Sequence, residues 1–131
     1  MKSGGTLKVL IALLPGQGFD SDFLAKASEG AEQVHIVVVL DQSSLGETAG
    51  GAVSSIAGLE ELAMESAKYL RKHKKKAEYA VEWGAYSDNI PKRAKQLGVG
   101  RVVLQRQPAP FFNELLAGLK KKCTFCGVEV L

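Results

Sequence analysis

Leu7-Lys8-Val9-Leu10-Ile11-Ala12-Leu13-Leu14, running into Pro15-Gly16-Gln17-Gly18, decides the fold. The run is too dense in apolar residues for a strand with one wet face, and Pro15 and Gly16 stop it early. It reads as a central strand covered on both faces. In an open α/β sheet, the loop leaving the carboxyl end of such a strand lines the ligand crevice. This loop offers Gly16 and Gly18 but no acid, lysine, serine or threonine. The fold is therefore strongly specified, and the chemistry is not.

Outward from that strand, Asp20 or Ser21 is placed to cap a helix reaching about Ser28, with Phe23, Leu24 and Ala27 inward and Gly30 as its stop. Val34-His35-Ile36-Val37-Val38-Val39-Leu40 is a second buried strand ending at Asp41. Ser43 to Gly51 reads as a polar loop, and Val53 to Lys75 as a long helix. Leu59, Leu62, Ala63, Ser66, Tyr69 and Leu70 share one face of that helix. Glu78 to Trp83 alternates in polarity, as a half-covered strand near an edge does.

The next helix starts at Ser87 or Asp88, which leaves Pro91 in its first turn, where proline is tolerated. A fourth strand, Arg101 to Gln105, is followed by a helix after Pro108 and Pro110 with Phe112, Leu115, Leu116 and Leu119 inward. Cys126 to Leu131 is the fifth strand. Strands and helices alternate throughout, and right-handed crossovers turn that order into a doubly wound five-stranded parallel sheet with helices on both faces.

The 131 residues fit a single domain spanning 1–131, with residues 1–6 as a flexible N-terminus. No apolar run reaches the ~20 residues of a membrane span, and the N-terminus lacks a signal-peptide cleavage pattern. Two cysteines do not make a disulfide framework, so a reducing cytoplasm is expected. The net charge of +3 is concentrated in Arg71 to Lys76 and Lys120 to Lys122, both placed at helix C-termini, where cations complement the dipole. Neither run is interleaved with aromatics, so nucleic acid is not an expected partner.

Gly16-x-Gly18 lacks the third glycine of a dinucleotide fingerprint, since Ser21 stands in its place. No Gly-Lys-Ser/Thr occurs, which excludes a P-loop. Cys123-Thr124-Phe125-Cys126 has the spacing of a redox motif, but it follows a helix instead of opening one, so the dipole raises the thiol pKa. Two structural thiols are the simpler reading. His35 and His73 are the only histidines, and no set of metal ligands forms around them. A phosphoacceptor domain needs acids where Leu14-Pro15 and Gln105-Arg106 stand. No catalytic constellation is found.

The order of elements, the long helix after the second strand, and the stretch Gly84…Ile90…Ala94…Val102-Val103-Leu104…Cys126-Gly-Val-Glu-Val resemble the universal stress protein family over nearly the whole chain. The resemblance implies the sheet order 3-2-1-4-5 of adenine-nucleotide alpha-hydrolase-like folds, and dimerisation through the final strand. Nucleotide-binding members of that family carry an Asp after the first strand, a main-chain adenine contact at the end of the second, and a Gly-rich phosphate loop after the fourth.

Here Leu14 or Pro15 occupies the Asp position, and Val39 or Leu40 remains available for adenine. Gln105-Arg106-Gln107-Pro108-Ala109-Pro110 has no glycine to bring phosphate onto bare backbone N–H groups. The resemblance therefore implies a non-catalytic, cytoplasmic member without ATP or another cofactor. It would act as a homodimer through Val128, Val130 and Leu131, with an unidentified protein partner. The alternative is a binder of AMP, ATP or another anion through Gly16, Gly18, Val39, Asp41 and Arg106, or a regulatory domain beside a membrane transporter. A thiol-redox role for Cys123 and Cys126 ranks third.

Overall fold

The computed structural model describes residues 7–13, 18–40, 49–84, 86–106 and 110–131. In chain order its elements are β1 (Lys8–Leu13), α1 (Ser21–Ala27), β2 (Gln33–Leu40), α2 (Ala49–Lys72), β3 (Lys76–Trp83), α3 (Tyr86–Leu97), β4 (Arg101–Leu104), α4 (Pro110–Lys122) and β5 (Gly127–Val130). The sheet is parallel throughout, with the order β3-β2-β1-β4-β5. β1 is the centre, pairing Lys8 to Leu13 with Gln33 to Val38 on one side and Val9 to Ala12 with Arg101 to Leu104 on the other.

Because β1 is covered on both faces, its side chains divide between two cores. Val9, Ile11 and Leu13 pack with Phe23 and Leu24 of α1 and Leu59, Ala63 and Leu70 of α2. Leu10 and Ala12 pack with Ile90 and Ala94 of α3 and Phe112 and Leu119 of α4. All of these are at most 5% exposed, and each large one contributes about 1.5–3 kcal/mol by leaving water. Glu60, Glu61, Glu65, Lys68 and Lys72 lie on the exposed face of α2, as the helical spacing requires.

Strand ends shift from the sequence reading by one or two residues, and three helix boundaries differ for a physical reason. α2 begins at Ala49, inside the stretch read as a loop. Gly50 and Gly51 cost roughly 1 kcal/mol each against alanine, but no proline stops a helix already nucleated downstream from extending through them. At its other end α2 stops at Lys72, and Lys74 adopts a left-handed φ of 66°. Arg71 Nε and Lys75 Nζ then donate to the carbonyls of Ala77 and Ala31, so part of this basic run ties the turn to the sheet. Lastly, α3 begins at Tyr86, which puts Pro91 in the second turn, not the first, where its missing N–H removes one helical hydrogen bond.

Candidate functional site

The strand order reverses between β1 and β4. α1, leaving β1, packs on one face of the sheet, and α4, leaving β4, packs on the other. A crevice opens above the carboxyl ends of two such strands. Of the residues proposed to line it, Gly16 and Asp41 lie outside the described residues, as do Leu14, Pro15 and the stretch Gln107–Ala109.

Gly18 is exposed on the way into α1, and a methyl group added there would meet nothing within 4 Å. Val39 is buried at 1% exposure. Among the described residues β2 pairs with β1 as far as Val38 and with β3 as far as Leu40, opposite Trp83.

On the β4 side the geometry is more restrictive. Asp20 caps α1, with Oδ1 accepting from the N–H of Phe23 at 3.0 Å. Its other oxygen, Oδ2, accepts from the side-chain amide of Gln105 at 2.9 Å. A carboxylate thus sits between the end of β4 and the first turn of α1 and takes up two donors there, the N–H of Phe23 and the amide of Gln105. The sequence marks Asp20 as a cap, but nothing in it marks Gln105 as the cap's distant partner.

Arg106 is exposed, and its guanidinium has no partner among the described residues. Its N–H donates to the carbonyl of Leu131 at 2.9 Å, and the N–H of Leu131 donates to Leu104 at 2.9 Å. The arginine is thereby fixed beside β5, at the side of the crevice nearest that strand.

Among the described residues β5 pairs with β4 alone and has no strand along its other edge. Val128 and Val130 are half-buried against the α3/α4 core, while Leu131 is 38% exposed and Phe125 46% exposed. Glu129 faces the opposite side of the sheet, 4.0 Å from Arg101.

Cys123 is buried just past α4, its N–H donating to Leu119 at 2.7 Å, and Cys126 is half-buried just before β5. Both thiols are free. Burial, then the neighbouring Cys126 sulfur, pushes the Cys123 pKa up to about 11, and burial also raises that of Cys126.

His35 lies lower on the sheet, opposite Leu10, in a cavity of about 70 Å³ with Glu78 and Arg93. Burial lowers its pKa, while the carboxylate of Glu78, 3.9 Å from Nδ1, pulls the other way. Among the described residues no cluster of three or more His, Cys, Asp or Glu is placed to hold a metal ion. Among them, too, no helix is long and apolar enough to cross a membrane.

No family model and no curated protein matches the chain. Solved structures do. A universal stress protein from Archaeoglobus fulgidus superposes with a TM-score of 0.71 at 15% identity, over 94% of this chain and 92% of that one. The universal stress protein from Archaeoglobus fulgidus in complex with dAMP gives a TM-score of 0.64 at 16% identity, covering 94% of this chain and 96% of that one. A universal stress protein in complex with cAMP gives 0.68 at 12% identity, covering 98% of each chain. The chain thus has the fold of the universal stress proteins. At these identities the likeness is one of architecture, and the function rests on the site.

Proposed function

We propose that this chain is a universal stress protein-like domain that acts without catalysis, by dimerising and binding a protein partner, and that it does not hold the triphosphate of ATP. The observation behind this reading is the clasp of Gln105 on Asp20, which holds a negative carboxylate beside the end of β4, where it repels a polyphosphate. The open edge of β5 supports the dimer. An unpaired edge invites a second strand, and two copies of β5 related by a two-fold axis satisfy each other. We place the protein in the cytoplasm, where the face of a membrane transporter is one class of partner.

Thermal unfolding with millimolar ATP, alongside light scattering on a sizing column, tests both halves. A dimer whose midpoint ATP leaves unchanged is the expected result. A ligand at a hundred times its Kd adds about 2.7 kcal/mol, so a rise of several degrees with ATP would overturn the first half. A monomer at high protein concentration would overturn the second. Leu131→Glu, which sets a charge on that edge, should yield monomers with an unchanged fold by circular dichroism.

A second reading centres on the carboxyl end of β2, at Val39 and Leu40, and on the exposed Arg106. A mononucleotide such as AMP would lay its base edge there and its single phosphate toward Arg106, with Gly16, Gly18 and Asp41 the further contacts expected from the sequence. The dAMP and cAMP complexes of proteins sharing the fold make AMP the nucleotide to try. It predicts a stabilisation by AMP that Arg106→Ala reduces about tenfold in affinity.

A further inference from the structure

Cys123 and Cys126 take no part in either reading, yet the fold sets both free thiols, three residues apart, at the turn between α4 and β5. The two are not equivalent. Cys123 is 5% exposed and held in place by its main-chain bond to Leu119, whereas Cys126 is more open to solvent.

Burial raises the pKa of both thiols, that of Cys123 to about 11. The nearby Lys120, Lys121 and Lys122 are all exposed, and Lys122 is engaged with Asp88. This is the reverse of a redox catalyst, whose attacking thiol is strongly acidified. It is the arrangement of a pair that stays reduced until an oxidant reaches the outer sulfur.

We propose that Cys126 and Cys123 form a modification site that closes to an intramolecular disulfide by exchange with a small-molecule disulfide such as oxidised glutathione, Cys126 attacking and Cys123 resolving. In the first step the Cys126 thiolate bonds to one glutathione sulfur. The glutathione S–S bond breaks, and the departing thiolate takes up a proton. In the second, Cys123 gives up its proton and attacks the Cys126 sulfur, and the second glutathione leaves as a thiol. The two protein thiols are oxidised by two electrons, and one glutathione disulfide is reduced to two thiols.

Cys126 directly precedes Gly127 and Cys123 directly follows α4, so the new bond would pin the start of the edge strand to the helix end. The exchange is slow near neutrality. At about pH 8 the resolving thiol of Cys123, its pKa pushed up to about 11, is ionised on the order of one part in a thousand, which limits the closing step.

The test is incubation of the folded protein with oxidised glutathione, followed by acid quench, trypsin digestion and mass spectrometry of the peptide Cys123 to Leu131. The wild type should yield that peptide lighter by two hydrogens, at a rate rising about tenfold per pH unit between pH 7 and 8. Cys123→Ser should stop at a stable mixed disulfide on Cys126. Cys126→Ser should be modified at least tenfold more slowly than Cys123→Ser. Circular dichroism of both variants establishes that they remain folded. Two thiols left free in the wild type, disulfides linking separate chains, or equal rates in the two variants would overturn the proposal.

Discussion

The side-chain amide of Gln105 donates to Oδ2 of Asp20 across 85 residues of sequence, joining the end of β4 to the N-cap of α1. One carboxylate therefore serves a helix terminus and a strand terminus at once. Asp20→Ala removes the cap and leaves the amide without its partner. The expected loss is about 1–2 kcal/mol, lowering the melting midpoint by roughly 2–6 °C. Asp20→Asn caps nearly as well and should stay within about 0.5 kcal/mol of the wild type. Thermal and urea denaturation of the two variants check this.

Gly84 and Gly58 should respond in opposite directions to the same change. Gly84 has φ of 128°, and a Cβ there would lie 2.5 Å from Nδ2 of Asn89, which donates to the carbonyl of Trp83. Gly84→Ala should cost about 1–3 kcal/mol. Gly58 is exposed within α2 and a Cβ would meet nothing within 4 Å, so Gly58→Ala should stabilise by roughly 0.5–1 kcal/mol. Urea midpoints at constant m-value distinguish the two outcomes.

Phe112 is fully buried on α4, against the core that β1 shares with α3. Phe112→Ala should lose about 3–5 kcal/mol through lost transfer energy and the cavity left behind. Leucine at the same position fills most of that space and should lose clearly less. Unfolding curves of the pair, measured side by side, test whether this core is packed as tightly as its burial implies.

His35 should make stability depend on pH. Its folded pKa is lowered, first by burial, so below the unfolded value of 6.5 the unfolded chain binds more protons than the folded one. The stabilising contribution is complete above 6.5 and is lost as pH falls toward the folded pKa. Urea midpoints should therefore decline between about pH 7 and 5.5, above the range where carboxylates titrate. His35→Gln should flatten that decline, and a slope unchanged by the substitution would locate its source elsewhere.

The strands were legible in proportion to their isolation from water. β1, β2 and β4 announce themselves as apolar runs because both faces of each are covered, and β3, at an edge, alternates as a half-covered strand must. The start of α2 was not legible, because glycines at positions 50 and 51 carry a loop signal that helix propagation overrides. The site was harder to read. Asp20 was legible as a cap, since capping is local, but its bond to Gln105 depends on two strands meeting, and glutamine carries no signal for that. Of the crevice residues named from sequence, the described structure places Gly18, Val39 and Arg106, with Arg106 drawn toward β5 by its main chain.

The central place of β1 also governs how the chain can come together in time. One of its flanks is closed early, by β2, but on the other Val9 waits for Arg101. During synthesis this apolar strand is thus left with an unpaired flank until Arg101 to Leu104 have emerged, more than 90 residues later. Long-range parallel pairing of this kind slows folding and leaves a sticky intermediate. The last docking event, β4 with β5 onto β1, is where a nascent copy would go astray or be captured by a chaperone.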